Sequence, residues 1–239
     1  MKTLALRVLA AGLLATCLTA PARADYDSGQ AALAAGDYGA ALAEFRQAAA
    51  KGDARSQRAL GIIYFKGQGV PVNPTEAAQW FSLAAGQGDA PAQAYLGALF
   101  ATGEGVQKDL AKSAEWFRKS AEQGYAEGEV RLGVLYFHGW GVIKDAKQAV
   151  EWFRRAAEKG NGHAQYRLGF AYKHGQGVAK DKVEALKWYK IAAAEGYPRS
   201  ETRVQSLEKD MTKAEIAEGE KRAVEWQAAA RKRFLSGGS

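Results

Sequence analysis

Three histidines and one Ser-x-x-Lys sequence are the side chains of this chain that could support metal binding or catalysis. His138 and His174 occupy equivalent places 36 residues apart, and His163 has no Cys, His or acid pair beside it in the sequence. Equivalent side chains on stacked helices lie about 10 Å apart, too far to share one metal ion. We therefore predict no metal site and no cofactor, and we expect His138 and His174 to be cations near helix C-termini.

The segment from Ser206 to Lys209 matches the S-x-x-K motif, whose serine is the nucleophile of penicillin-recognising enzymes. The S-D-N and K-T-G motifs that accompany it in those enzymes do not occur in this sequence. A thiol nucleophile is excluded as well, because the single cysteine, Cys17, lies in the N-terminal leader. The chain is therefore not expected to be an enzyme, and a β-lactam-binding hydrolase is the less favoured alternative.

The leader, residues 1–24, has the features of a secretory signal peptide. Two basic residues precede an apolar run of 13 residues (8–20), and a small-x-small site follows at Ala22-Arg23-Ala24. Cys17 is not preceded by the small residue that a lipoprotein signal requires. We expect cleavage near Ala24 and a periplasmic or secreted protein without disulfide bonds or a transmembrane segment.

The charge of the remaining chain is mildly basic. After residue 24 there are 30 Lys and Arg against 26 Asp and Glu, a net charge of +4, and part of the excess lies in the tail RKRF (231–234). We expect this tail to be a solvated terminus, with anion binding as the alternative. Basic residues are not interleaved with aromatic ones in the way that indicates nucleic-acid binding.

The strongest signal in the sequence is self-similarity with a period of 36 residues. An aromatic residue followed by Gly-x-Gly-Val occurs four times, as YFKGQGV, FATGEGV, YFHGWGV and YKHGQGV. Other residues recur with the same period. They are Leu60, Leu96, Leu132 and Leu168, each followed by Gly, and Trp80, Trp116, Trp152 and Trp188, each followed by Phe or Tyr.

Each period is predicted to contain two helices. The first, about Asp53 to Lys66 in the first period, carries a glycine in its interior, which costs about 1 kcal/mol relative to Ala and therefore indicates a very close neighbour. Small pairs such as Ala84-Ala85 are expected to be that neighbour, and the four tryptophans are expected to be largely buried between units.

The second helix of each period should begin at a capping residue. The caps are Asn73, Asp109, Asp145 and Asp181, and Glu76, Gln148 and Glu184 are expected to complete capping boxes. A glycine such as Gly88 should end each second helix in the left-handed conformation. Thr212 and Glu215 predict a further capping box for a last helix, about Lys213 to Phe234.

The recurring Gly-x-Gly is expected to connect the two helices rather than to cradle a phosphate. It lacks the Lys-Ser/Thr of a P-loop, and no strand leads into it. Gly67 should end the first helix, Gly69 should turn the chain with positive φ, and Val70 should pack back against the helix pair.

The full pattern, L-G-x-x-[YF]-x-x-G-x-G-V followed by D-x-x-x-A-x-x-W-[FY] and then A-A and G, resembles the Sel1-like repeat family, a relative of the tetratricopeptide repeats. The resemblance implies an all-α, right-handed solenoid of antiparallel helix pairs with capping helices at both ends. The units are expected at 53–88, 89–124, 125–160 and 161–196, with a partial leading unit at 25–52 and capping helices and the basic tail at 197–239.

The resemblance also implies that the first helices line a concave groove. The groove positions are then −5, −2, +2 and +5 relative to the recurring Leu. They are Arg55, Arg58, Ile62 and Phe65; Pro91, Ala94, Ala98 and Ala101; Glu127, Val130, Val134 and Phe137; His163, Tyr166, Phe170 and Lys173. An apolar groove with charged ends suits an extended peptide. Any one of the aromatic side chains could instead belong to the core.

The expected function is a non-catalytic, monomeric scaffold or regulator of the cell envelope that binds a protein or peptide. The alternative is binding of an anionic envelope ligand, such as peptidoglycan or an acidic polysaccharide, by Arg55, Arg58 and the tail. Trp140 replaces the Gln or Glu of the other connectors. It is expected either to form a second contact patch on the connector edge or to cover Val142 and Ile143 locally.

Overall fold

The computed structural model describes residues 25–236, and it describes side chains as far as Arg233. The predicted signal peptide, residues 1–24, lies outside the described residues. Within them the chain is helical and contains no strand. The helices are α1 (Tyr26–Ala34), α2 (Tyr38–Ala50), α3 (Ala54–Lys66), α4 (Pro74–Gly86), α5 (Ala90–Thr102), α6 (Leu110–Glu122), α7 (Ala126–His138), α8 (Ala146–Glu158), α9 (Gly162–His174), α10 (Lys182–Ala194), α11 (Ser200–Glu208) and α12 (Lys213–Ser236).

The helices form a solenoid of antiparallel pairs, as predicted. Pairs α3/α4, α5/α6, α7/α8 and α9/α10 are repeats 1 to 4, and each second helix also packs against the first helix of the following pair. The segment 25–52, predicted as a partial unit, forms a complete helix pair whose first helix is only 9 residues long. At the other end α12 packs against α10 and covers the last repeat.

The predicted helix caps are present, but the capping boxes of the repeats are wrong. Asn73 and the three equivalent aspartates accept backbone N–H groups of the second helices. Their own N–H groups do not bond the Glu or Gln three residues later. They donate instead to the carbonyl of the recurring aromatic residue in the first helix, as Asn73 does to Tyr64 at 2.9 Å. The two-way box forms at Thr212 and Glu215, as predicted.

The Gly-x-Gly connector has the predicted conformation. Gly67 is the left-handed C-cap of α3 with φ 69°, and Gly69 also has positive φ, 72°. The second glycine has an additional reason to be Gly, because its backbone lies directly against the start of the preceding second helix. A Cβ on Gly141 would overlap the carbonyl of Leu110. The connector valines pack half-buried against the core, as expected.

The close neighbour of each helix glycine is an aromatic ring and not the predicted Ala-Ala pair. A Cβ on Gly133 would lie 2.7 Å from the ring of Phe153, and Gly61 faces Phe81 in the same way. One of the small pairs, Ser120-Ala121, instead faces the next repeat. The Ser120 side chain lies where a Cβ on Gly128 of the next repeat would be.

The fully buried aromatic position is therefore the residue after each tryptophan, and the tryptophans themselves pack against the core but are less completely buried in three of four repeats. Phe81, Phe117, Phe153 and Tyr189 are buried, whereas Trp80, Trp116 and Trp152 are half-buried. Lys119 and Arg155 lie over the rings of Trp116 and Trp152, at 4.2 and 4.5 Å. Trp188 is buried because Trp226 of α12 packs against it, with ring centroids 5.5 Å apart.

A row of polar pairs has one buried and one exposed member in each pair, and in repeats 1 and 2 the buried side chain also bonds the preceding unit. Gln57 donates to the Ala49 carbonyl of the preceding unit at 3.2 Å and accepts from Gln87 at 2.7 Å. Repeat 2 has the same arrangement. In repeat 3 the pair is Glu129 and Lys159, 2.7 Å apart, and Lys159 itself donates to the carbonyl of Gly124. The carboxylate of Glu129 has no hydrogen to donate, so in repeat 3 Lys159 donates the hydrogen bond to the preceding repeat.

A second row joins each second helix to the next first helix. Arg46 donates to the Tyr64 hydroxyl at 2.6 Å, and Arg118 and Arg154 make the same bond to the equivalent tyrosines. Where the aromatic residue is Phe100, which has no hydroxyl, position 82 is Ser rather than Arg. After the last repeat the pair becomes an ion pair between Lys190 and Glu208, 3.1 Å apart.

The glycine contact predicts different costs for one substitution in two repeats. We expect Gly133→Ala to lower the free energy of unfolding by about 1–2 kcal/mol, because overpacking outweighs the gain in helix propensity. Gly97→Ala is the matched control. Its Cβ would lie 3.0 Å from Phe117, whose ring borders open space and can shift, so we expect a change within about 0.5 kcal/mol. Urea unfolding measures both changes. Equal losses of unfolding free energy in the two variants would show that the distance from the added Cβ to the ring does not set the cost.

The polar pairs predict coupling between Glu129 and Lys159. Lys159→Gln alone should cost about 1–3 kcal/mol, because it removes a charge-assisted partner of a buried carboxylate. The double variant Glu129→Gln/Lys159→Gln reproduces the Gln57–Gln87 pair and should recover most of that loss. A double-mutant cycle in urea checks this, and a coupling energy near zero would show that the two positions act independently.

Candidate partner-binding groove

The groove is the surface of the first helices on the inner side of the array. First helices of neighbouring units touch each other directly, α1 with α3 and α5 with α7. Helices on the inner side of a curved stack are the ones that approach most closely, so this contact agrees with the assignment of the first helices to the concave face.

The basic end of the groove is already neutralised. Arg58 donates to both carboxylate oxygens of Asp89, at 2.9 and 3.1 Å, and so clamps repeat 1 to repeat 2. The Arg55 guanidinium lies 4.5 Å from the centre of the Tyr26 ring and 3.7 Å from the Asp53 carboxylate. Both cations therefore have a partner in the folded chain.

The middle of the groove contains two adjoining cavities between α5 and α7, of about 240 and 320 Å³. Ala98, Phe117 and Arg131 line both of them, and further small side chains of repeat 2, Ala94 and Ala101, line one each. We call these two spaces together the alanine cavity. It is bounded by Pro91, Ala94, Tyr95, Ala98, Ala101, Thr102, Lys108, Leu110, Phe117, Tyr125, Glu127, Arg131, Val134, Leu135 and Trp140.

The cavity exists because repeat 2 lacks the larger groove side chains of its neighbours. Ala98 and Ala101 stand where repeat 1 has Ile62 and Phe65. Ile62 and Phe65 are half-buried and pack against the core of repeats 1 and 2. Alanine leaves the space above Phe117 open to solvent.

Trp140 lies at the end of the alanine cavity, and not on a connector edge separate from the groove as predicted. Its side chain is 48% exposed, and its ring stacks on His138 with centroids 4.4 Å apart. Ile143 remains 90% exposed, so Trp140 does not cover it as the local alternative required. Trp140 and the groove therefore belong to one surface.

The C-terminal part of the groove is aromatic, but one predicted residue is absent from its surface. Val130 is completely buried and belongs to the core, because α7 turns this position toward α8 and α9. Val134, Phe137 and Phe170 are half-buried, and the rings of Phe137 and Phe170 meet edge to face at 6.1 Å. Lys173 is half-buried on the same helix as Phe170.

Tyr166 lies at the far end of this aromatic surface in a small cluster. Its ring packs 5.3 Å from that of Tyr197, and its hydroxyl accepts a hydrogen bond from Arg203 at 3.1 Å. Burial raises the pKa of Tyr197 above its usual value.

Burial and nearby cations disfavour the charged form of His138 and His174, which counts against the expectation that they are cations. Burial lowers the pKa of both below the usual value, and nearby cations, Lys173 beside His174 and Arg167 beside His138, lower it further. Burial also lowers the pKa of His163 to about 4, and its Nε2 accepts a hydrogen bond from Arg167 at 3.1 Å. Across the described residues no three His, Cys, Asp or Glu side chains are grouped as metal ligands would be.

The S-x-x-K motif lies in the C-terminal cap. Ser206 is exposed near the end of α11, and Lys209 is exposed just beyond it. Neither residue lines the alanine cavity.

Several residues of the alanine cavity were missed by the sequence analysis, above all Tyr95, Phe117, Tyr125 and Arg131. The assumed four groove positions per helix did not include the row of Tyr95 and Arg131, one position before the recurring Leu. Tyr125 was hidden because its position caps the first helix in other repeats. Its replacement of Asp or Asn at that position is the signal that could have identified it.

Comparison with known proteins agrees with the fold. The Sel1 repeat family model matches four consecutive segments, 54–89, 90–125, 126–161 and 162–197. These segments begin one residue after the units expected from the sequence. Of the helices between residues 25 and 236, none combines the length and apolar composition needed to cross a membrane.

Solved structures with the same architecture include a Sel1 repeat protein from Oxalobacter formigenes. It is 32% identical with a TM-score of 0.71, over 87% of this chain and 85% of that protein. The protective antigen c5321 of uropathogenic Escherichia coli, which has an SLR fold, is 33% identical with a TM-score of 0.67, over 81% of this chain. This chain spans only 41% of that antigen. No curated protein matches the chain.

A putative sel1 repeat protein from Klebsiella pneumoniae, 21% identical with a TM-score of 0.50, shares the fold over 75% of this chain and 89% of that protein.

The stacking of Trp140 on His138 predicts a measurable change in one pKa. Trp140→Gln removes the ring that helps to bury His138, so the pKa of His138 should rise toward the ordinary value near 6.5. Titration of the imidazole signals by NMR measures this shift. Ile143→Gln is the matched control in the same connector and should leave the pKa of His138 unchanged. An unchanged pKa in Trp140→Gln would show that the two rings do not stack in solution.

Proposed function

Because this chain belongs to the Sel1 repeat family, whose members generally mediate protein–protein interactions, we propose that it is a scaffold or regulator that binds an extended segment of a partner protein in its concave groove. We further propose that it acts as a monomer, without catalysis, in the bacterial cell envelope.

The observation that carries this proposal is the alanine cavity. It is a concave, mainly apolar space on packed helices, with a few polar groups at its edge, which is the usual character of a binding site. Repeats 2 and 3, which hold it, are joined by hydrogen bonds from Lys159 to the Gly124 carbonyl at 2.7 Å and from Arg118 to the Tyr136 hydroxyl at 3.2 Å. A partner would therefore meet a preformed surface and lose little binding free energy to ordering of the scaffold.

The envelope location is supported by the signal-peptide features of residues 1–24. Removal of these residues would leave the folded array intact at its start. Asp25 is the N-cap of α1, and its carboxylate accepts the Ser28 N–H at 2.8 Å. Intact-mass measurement of the exported protein, with a chain beginning at Asp25, tests this part of the proposal.

The anionic-ligand alternative has less support. Arg58 is held by Asp89, and Arg55 lies in a space that it shares with the acidic residues Asp25, Asp27 and Asp53. An acidic polysaccharide would have to break the first contact and approach the second group of negative charges.

Site-specific photocrosslinking in the native host tests the groove. A photoreactive phenylalanine analogue is placed at Ala101 in the groove, and at Leu83 on the outer helix α4 as the control; Leu83 is 53% exposed. We expect a discrete protein adduct from position 101, absent at position 83 and retained when the salt concentration is raised, because apolar contacts depend little on ionic strength.

Adducts of equal intensity at both positions would contradict groove binding. Capture of polysaccharide rather than protein, lost in high salt, would support the anionic-ligand alternative instead.

A further inference from the structure

The four repeats can be compared position by position, and three kinds of departure from the shared pattern meet at the alanine cavity. Repeat 2 has Ala98 and Ala101 on the groove floor, where the other repeats have larger side chains. Repeat 3 has Tyr125 where repeats 1, 2 and 4 begin their first helix with Asp or Asn. It also has Trp140 in a connector position that is Gln or Glu elsewhere. All four residues line the same space.

Two of these departures cost stability. Tyr125 makes no side-chain cap bond to α7, whereas Asp53, Asp89 and Asn161 cap the equivalent helices. Loss of such a cap costs about 0.5–2 kcal/mol. The alanines give up the apolar contacts that larger groove side chains make with the core. Departures that weaken the scaffold yet surround one cavity are expected of a site shaped for a ligand.

The residues around the cavity define the chemistry of an occupant. Its floor is apolar, and its walls include the aromatic side chains of Tyr95, Phe117 and Trp140. With 240 and 320 Å³, each compartment is at or below the lower end of about 300–1,000 Å³ that is usual for whole small-molecule ligands. This size suits single side chains of a longer molecule.

The charge of the groove favours an acidic partner. Helices α3, α5, α7 and α9 carry six Lys and Arg, two of which (Arg55 and Arg58) are already paired with Asp53 and Asp89, so four basic residues remain against two Glu. One of the two, Glu129, is buried and paired with Lys159 of the outer layer. At the cavity, Arg131 bonds the other, Glu127, through Nε at 2.6 Å. This leaves the two terminal amino groups of Arg131 for a carboxylate of the partner. Lys108 is exposed and lines the compartment that Trp140 also lines.

We propose that the alanine cavity is the anchor site for a bulky apolar side chain of an extended, acidic peptide segment, with Arg131 and Lys108 binding carboxylates on either side of that anchor. The inference rests on the proposed function and specifies where in the groove the partner binds and which sequence it presents. Aromatic or branched aliphatic side chains would fill the space that Ile62 and Phe65 fill in repeat 1. An acidic polysaccharide would satisfy the cations but would leave the apolar floor without a partner.

Panning of phage-displayed random 12-residue peptides on the full chain tests the proposal, with the affinity of the most enriched peptide measured by isothermal titration calorimetry. We expect a consensus of one bulky apolar residue flanked by Asp or Glu. The key variant is Ala98→Val/Ala101→Phe, which copies Val134 and Phe137 of repeat 3 and should fold normally while filling the cavity. We expect it to weaken binding at least 10-fold.

Two further variants separate the contributions. Arg131→Gln should weaken binding about 5- to 10-fold and reduce the salt dependence of affinity, because it removes a charge-assisted contact. Leu83→Ala, on the outer surface, is the control and should leave affinity and its salt dependence unchanged. Thermal unfolding of each variant confirms that the changes are not due to loss of folding.

Peptides that bind wild type and the filled variant equally would overturn the anchor site. If their affinity were instead reduced by Phe170→Ala, groove binding, and with it the proposed function, would still stand. A library that yields no peptide above the bare-support background, or a consensus without an apolar residue, would also overturn the inference. Retention of the chain by acidic polysaccharide beads in place of any peptide would count against both the inference and the proposed function.

Discussion

The structure depends on one close contact, between a glycine of each first helix and the aromatic ring of its partner helix. The ring of Phe81, Phe117, Phe153 or Tyr189 lies where a side chain of the recurring glycine would be. Because no side chain separates them, the ring lies directly against the glycine, and an added Cβ would be 2.6–3.0 Å from it in all four repeats. A constant pair is what allows one pair to stack on the next without accumulated strain. The contact even occurs before the first repeat, where Gly29 faces Phe45.

The stacking of pairs is then fixed by polar contacts that vary together. Gln meets Gln in repeats 1 and 2, and Glu meets Lys in repeat 3. In the second row Arg meets Tyr, except where Phe100 has no hydroxyl to accept and the arginine position is Ser82. Repeat 4 departs from this pattern, because position 195 is Glu and the buried Oε1 of Gln165 has no hydrogen-bond partner. A buried polar atom without a partner costs about 1–3 kcal/mol, so a matching change on both sides preserves stability. The array is therefore locked in register, and its groove side chains keep fixed relative positions.

The sequence was sufficient for the backbone and insufficient for side-chain burial. Helix boundaries, the caps at Asn73 and its equivalents, and the positive φ at Gly67 follow from local sequence. The same local signals occur in every repeat. Val130 was misplaced because its burial depends on how helix α7 packs against the neighbouring repeat, which the local sequence does not state. The alanine cavity could not be predicted as a cavity. It is formed across a repeat boundary by α5, α6 and α7, so no single repeat contains its signal.

Repetition and recognition make opposite demands on this chain. Positions that are alike in all repeats can build a regular scaffold, but they cannot distinguish one point along the groove from another. A partner can be bound in one register only where the repeats differ. In the described part of the chain those differences do not lie at random, since Ala98, Ala101, Tyr125 and Trp140 line one space. The glycine–aromatic contact and the paired polar rows hold that space open, because they keep neighbouring repeats from closing over the missing side chains. The conserved architecture thus supplies rigidity, and the departures from it supply the specific surface.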